Sequence, residues 1–108
     1  MIMSNFANPE DAKLETLAAS TLTRTGAKQS AALRDSTGRT YVAINIESPS
    51  LTLDAVEAVF TVAMASQISG IEGVVCAGAK PSKVSVIREH SPSAAIFHVE
   101  SEGAVSNL

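Results

Sequence analysis

The segment that most restricts the fold lies at residues 53–66, where apolar side chains surround a helix on nearly every side. Val56, Val59, Phe60, Ala63 and Met64 form one stripe at helical spacing, and Ala55, Ala58, Val62 and Ala65 cover most of the remainder. Ser50 or Thr52 offers a capping hydroxyl ahead of it. A helix this apolar has to be covered on both sides. In a chain of 108 residues two arrangements meet that demand. Either a second subunit packs on one face, giving a homo-oligomer (dimer or tetramer), or the first helix of the same chain covers it.

The surrounding segments supply the layers. Asn8-Pro9-Glu10-Asp11 reads as a cap, a first-turn proline and two acids, followed by Leu14, Leu17, Ala18 and Leu22, so a helix is expected over residues 9–25 with Gly26 ending it. Ala31-Ala32-Leu33, the turn cluster Asp35-Ser36-Thr37-Gly38 and then Tyr41, Val42, Ile44 and Ile46 read as a β-hairpin, broken by Ser48-Pro49-Ser50. Residues 71–77 read as a buried strand with Gly70, Gly73 and Gly78 marking its ends. A short helix starts at Pro81 or Ser82 and reaches about His90, and residues 95–99 form a last strand. Helix, hairpin, helix, strand, helix, strand implies an α/β fold, one mixed sheet with helices on its faces, in a single domain over residues 1–108. Residues 1–8 and 101–108 are expected to be flexible.

Charge narrows the partners. Eight Lys and Arg against eleven Asp and Glu give a net charge of -3, and residues 40–79 hold no Lys or Arg at all. That stretch cannot neutralise phosphates, so nucleic-acid binding is not expected. With four aromatic residues there are also few rings for stacking on bases. The apolar run near 55–65 is interrupted by Glu57 and Thr61, so no membrane span or signal peptide is expected. Cys76 is the lone cysteine, which excludes an intrachain disulfide and suits a reducing cytoplasm.

Candidate chemistry is sparse. Gly73 through Gly78-Ala79-Lys80 nearly spells a phosphate-binding loop, but that motif requires Lys directly after the second Gly, and here Ala79 intervenes and Pro81 removes an amide. A strand-end turn is the better reading. His90 and His98 are the only imidazoles and stand in different elements, whereas a zinc site needs three or four ligands. His90 suits a helix C-terminus, His98 a satisfied strand position, and Cys76 a small buried apolar residue.

Ala31-Ala32-Leu33 followed by Gly38-Arg39-Thr40-Tyr41-Val42-Ala43-Ile44-Asn45-Ile46-Glu47 resembles the front half of cytidine deaminases, and Leu51-Thr52-Leu53 is similar to the approach to their catalytic helix. The resemblance spans about residues 9–100, with Asn-x-Glu at a strand end as its most specific part. It implies a zinc ion held by Cys-Ala-Glu or His-Ala-Glu at the second helix and Pro-Cys-x-x-Cys at the third, with the Glu moving protons. This chain departs at each point. One register puts Asp54 at the first ligand and Val56 at the acid/base, and sliding by one recovers Glu57 but leaves Ala55 as the ligand. Ser82 and Ser85 of Pro81-Ser82-Lys83-Val84-Ser85 stand where thiolates belong, and neutral hydroxyls are poor zinc ligands. The family's Arg after its Glu is absent, and Ala27 and Gln29 replace the Phe and Val of its nucleoside pocket.

The resemblance leaves Asn45 and Glu47, the pair that in the family hydrogen-bonds ribose hydroxyls. Two residues apart on a strand, they share a face and suit a diol. The structural alternative is that they bond nearby backbone and tie down the Ser48-Pro49-Ser50 turn. The expected function is a cytidine deaminase-fold protein without zinc-dependent deamination. It serves as an oligomeric interaction module or weak nucleoside binder through Asn45 and Glu47, with no metal, cofactor or catalytic residue. The alternative is a divergent zinc-dependent deaminase or hydrolase drawing on Asp54, Glu57 and either His90 or Cys76.

Overall fold

The computed structural model describes residues 6–108. Helix α1 spans Pro9–Thr25: Asn8 accepts a hydrogen bond from Glu10 N–H, Pro9 opens the first turn, and Gly26 at φ 66° closes it by donating to the Leu22 carbonyl. Strands β1 (Gln29–Asp35) and β2 (Thr40–Ile44) form the hairpin. Its turn is set by Asp35, whose Oδ1 accepts from the Thr37 amide and hydroxyl and from the Arg39 amide. Burial pushes that carboxyl up, but these bonds and the Tyr41 hydroxyl hold it below its usual value.

Two short strands, β3 (Ile46–Glu47) and β4 (Thr52–Leu53), pair around the Ser48-Pro49-Ser50 turn and form a small second sheet. The turn is closed by Ser48 itself, whose amide and hydroxyl both donate to the Leu51 carbonyl. Helix α2 (Ala55–Ala65), strand β5 (Ile71–Gly78), helix α3 (Ser85–His90) and strands β6 (Ala95–Val99) and β7 (Val105–Asn107) complete the chain. The main sheet has the order β2-β1-β5-β6-β7, antiparallel except where β5 and β6 run parallel across the α3 crossover.

All seven residues of β1 are buried, because helices cover both faces of the sheet. Ala31 and Leu33 meet Val56, Val59 and Ala63 of α2 on one side, while Ala32 and Val75 meet Leu14 and Ala18 of α1 on the other. The alanines let each helix approach the strands closely, which is how a core with so few aromatic rings is filled. The first helix therefore does not cover the second: the two lie on opposite faces. Within α2, Val59 is fully buried against its own sheet, whereas Met64, expected on the same stripe, is exposed together with Val62.

Several boundaries differ from expectation for identifiable reasons. The cap of α2 is Asp54, not Ser50 or Thr52, and it forms a reciprocal capping box with Glu57. Pro81 and Ser82 precede α3, which starts at Ser85. Gly73 lies inside β5 and does not end it; a Cβ there would come within 2.8 Å of Asp11 Oδ1. The tail, expected to fray, pairs with β6 as β7, and Arg88 donates to the carbonyls of Pro92, Ala94 and Leu108. Of the amino-terminal segment, residues 1–5 lie outside the described residues, while Phe6 is buried and packs edge-on against Phe97 at 4.9 Å.

One ion pair ties α1 to the sheet. Arg34 Nη1 lies 2.9 Å from Asp11 Oδ1, both side chains being 7% exposed, and Arg34 Nε lies 3.1 Å from the more open Glu72. Burial works against the guanidinium charge, yet the hydrogen bonds to Asp11 and Glu72 outweigh it and raise the Arg34 pKa. Removing Asp11 leaves the buried cation with only the half-exposed Glu72 as its partner. Asp11→Ala is therefore expected to cost about 3 kcal/mol, measured as a lowered urea midpoint at unchanged m-value.

Candidate functional site

Polar groups from five segments converge at the end of the sheet where α2 begins. Lys28 and Gln29 come from the start of β1, Asn45 and Glu47 from the β2–β3 junction, Thr52 and Leu53 from β4, Asp54 from the α2 cap, and Ala79 and Lys83 from the loop after β5. Together they line a cleft of about 250 Å³. A larger hollow of about 580 Å³ runs along the outer side of α1, but all its lining residues come from that one helix, so nothing converges there.

Asn45 and Glu47 do share a face: Asn45 Nδ2 donates to Glu47 Oε1 at 3.3 Å. Each also has a second partner. Asn45 Oδ1 accepts from the Gln29 amide at 3.0 Å, which pins the β2 end to β1, and Glu47 pairs with Lys28 at 3.1 Å. Both side chains of that ion pair are more than half exposed, so it is weak and displaceable.

The position of the family's first ligand is closed by its own helix. Asp54 Oδ1 accepts from Glu57 N–H at 2.9 Å, Glu57 Oε1 accepts from Asp54 N–H at 3.1 Å, and Asp54 Oδ2 accepts from the Lys83 amide at 3.2 Å. The Lys83 ammonium stands 4.0 Å from Glu57. Gln29 closes the other side: its Oε1 accepts from Ala55 N–H at 3.0 Å and its Nε2 donates to the Ala79 carbonyl at 3.1 Å. A buried amide thus bridges the first residue of α2 and the loop beyond β5. Val56, the position of the acid/base in one register, is fully buried in the core.

The remaining candidates lie apart. His98 is buried, and its Nε2 lies 2.7 Å from the Gly78 carbonyl, which fixes that nitrogen as the donor. His90 ends α3, its ring edge-on to Phe60 at 5.8 Å and its Nδ1 2.9 Å from Ser91 Oγ. Cys76 is fully buried beneath α2, and burial, helped by the negative charge of Asp54, pushes its thiol up to about 12. Asp54 and Glu57 therefore converge, but His90 and an ionisable Cys76 do not join them. Ser82 and Ser85 are exposed, before and at the start of α3.

Two comparisons with known proteins find relatives. The profile of the cytidine deaminase-like family matches residues 7–103. The chain belongs to that family. Among solved structures, the cytidine deaminase from Burkholderia pseudomallei shares 18% identity over 90% of each chain with a TM-score of 0.78. The enzyme from Bacillus anthracis shares 14% over 94% of this chain and 83% of its own, with a TM-score of 0.69. That from Mycobacterium leprae shares 18% over 89% and 91%, with a TM-score of 0.67. No curated protein matches by sequence. At these identities the structural likeness establishes the fold.

Zinc is the metal that the resemblance implies, and the donors here do not fit it. Among the described residues no three or more His, Cys, Asp or Glu are grouped to hold a metal ion. Asp54 is the one anionic group at a ligand position, and its carboxylate already caps a helix and holds the Lys83 amide. Sequence reasoning identified Asn45 and Glu47 but not Lys28, Thr52 or Lys83, nor the bridging role of Gln29. Those contacts join segments 19 to 50 residues apart, and no local pattern announces them.

The raised pKa gives a direct check on Cys76. At pH 8 the native protein should resist a thiol-specific chromogenic reagent, and urea-unfolded protein should react to full stoichiometry. Fast labelling without unfolding would show that the thiol is open and ionised.

Proposed function

We propose that this member of the cytidine deaminase-like family has lost zinc-dependent deamination. In this reading it serves as an oligomeric module that keeps the sugar-binding corner of a nucleoside site at Asn45 and Glu47. The observation that carries the reading is the α2 N-terminus, where the Asp54 carboxylate is engaged by the Glu57 and Lys83 amides and the Gln29 side chain by the Ala55 amide, with no other anionic donor at a ligand position. Asn45 and Glu47 bring an amide donor and a carboxylate acceptor to one rim of the cleft, a combination suited to vicinal hydroxyls. The buried, protonated Cys76 thiol accords with a reducing cytoplasm as the working compartment.

Protein purified without chelator is expected to contain far less than one zinc per chain and to leave cytidine unchanged, measured by metal analysis and by the loss of ultraviolet absorbance that accompanies deamination. Stoichiometric zinc with turnover would refute the loss of activity.

The oligomer rests on the outer face of α2. Val62 and Met64 are 43% and 39% exposed, and beside them Phe60, Val86 and His90 line a shallow hollow at the α2–α3 seam. Among the described residues no helix covers Val62 and Met64. Val62→Glu is expected to convert an oligomer into a folded monomer by light scattering, with circular dichroism unchanged. A monomeric wild type would end this part of the proposal. Val59 is unsuited to the test, because its side chain is buried in the subunit's own core.

A further inference from the structure

The ligand of the cleft follows from what already fills it. Resting on the reading of Asn45 and Glu47 given above, we infer that the cleft takes a cis-diol of monosaccharide size, free or phosphorylated, and excludes a nucleobase, with Gln29 as the residue that sets this limit.

Gln29 is only 8% exposed, and its amide spans the inner end of the cleft from Ala55 to Ala79. Its oxygen is used by Ala55 N–H and one amide hydrogen by the Ala79 carbonyl, and it is the burial of this bridging amide, more than a lack of hydrogen-bonding capacity, that keeps it from reading the edge of a base. On the same side the Asp54 carboxylate is committed to Glu57 N–H and Lys83 N–H. The amides of Ala55, Glu57 and Ala58 have partners within the chain, so three of the first four helix amides are already used and only that of Val56 remains without one among the described residues. A planar ring entering here would have to displace this buried network and leave its polar groups unpaired.

The outer rim is different. Asn45 Nδ2 retains a second hydrogen, Glu47 is exposed and held only by contacts of 3.1–3.4 Å, and Thr52, paired across the β3–β4 ladder from Glu47, has a hydroxyl without a partner among the described residues. A carboxylate acceptor, an amide donor and a free hydroxyl provide what two adjacent sugar hydroxyls need. Lys28 and Lys83 line the same cleft, each within 4.0 Å of an acid, Glu47 and Glu57 respectively. Either ammonium can turn to an anionic substituent on the sugar once a hydroxyl has taken its place at the acid.

The test is calorimetric titration of the intact protein with ribose, ribose 5-phosphate and cytidine, repeated with Glu47→Ala and with Lys28→Met and Lys83→Met combined. The expected result is binding of ribose or ribose 5-phosphate at least tenfold tighter than that of cytidine, and at least a tenfold loss in Glu47→Ala. If the phosphorylated sugar is preferred, the double variant Lys28→Met with Lys83→Met should remove the preference, which identifies the source of the ligand. Cytidine binding as tight as ribose or tighter, still dependent on Glu47, would overturn the size limit while leaving the Asn45–Glu47 site intact. Absence of binding by all three, or binding unchanged in Glu47→Ala, would overturn both. Glu47 is exposed, so its substitution does not threaten the fold.

Discussion

The antiparallel pairing of β1 with β5 at the centre of the sheet is the constraint on which the other elements depend. Both strands are hydrogen-bonded on each edge, to β2 and to β6, and both are covered on each face by a helix layer. Neither face of β1 can therefore carry an unsatisfied polar side chain cheaply. At its two ends Arg34 reaches Asp11 and Glu72, and Gln29 reaches Ala55 and Ala79, while the buried Ser30 hydroxyl has no partner among the described residues. Through the first, α1 is fixed to one side of the sheet; through the second, the start of α2 is fixed to the other. The cleft lies at the second of these anchors.

The same anchor explains how a deaminase fold is held together with these residues. In the arrangement implied by the resemblance, a metal would join the start of α2 to the segment before α3. Here Asp54 spans that gap by accepting the Lys83 amide, with the Lys83 ammonium beside Glu57 as a second and weaker contact. The outcome is a site stitched shut at its inner end and open at its rim, where Asn45, Glu47 and Thr52 stand.

Much of this was legible in the residues. The bounds of α1 follow from Asn8 and Gly26, whose capping roles are local, and the hairpin from the Asp35-Ser36-Thr37-Gly38 cluster. The β5 and β6 strands follow from short apolar runs between breakers. The cap of α2 has a local signal too, since Asp54 and Glu57 stand three apart, as a capping box requires, but the hydroxyls of Ser50 and Thr52 offer competing caps in the sequence. β3 and β4 are two residues each and too short for alternation to register. β7 lacks an apolar pattern and is held by its neighbour and by Arg88 from a distant helix. At the site, Asn45 and Glu47 were readable from spacing and resemblance. The Gln29 bridge reaches 26 and 50 residues along the chain, and only the folded sheet brings its ends together.

The local character of the α2 cap also bears on the order in which the chain assembles. Helix initiation is costly because several residues must be fixed for one bond, and reciprocal bonds between residues 54 and 57 lower that cost without help from elsewhere. A helix started by a metal would have to wait until the segment near residue 82 had closed a loop of almost thirty residues. In this chain the bonds that cap α2 lie within four consecutive residues and call on no distant segment.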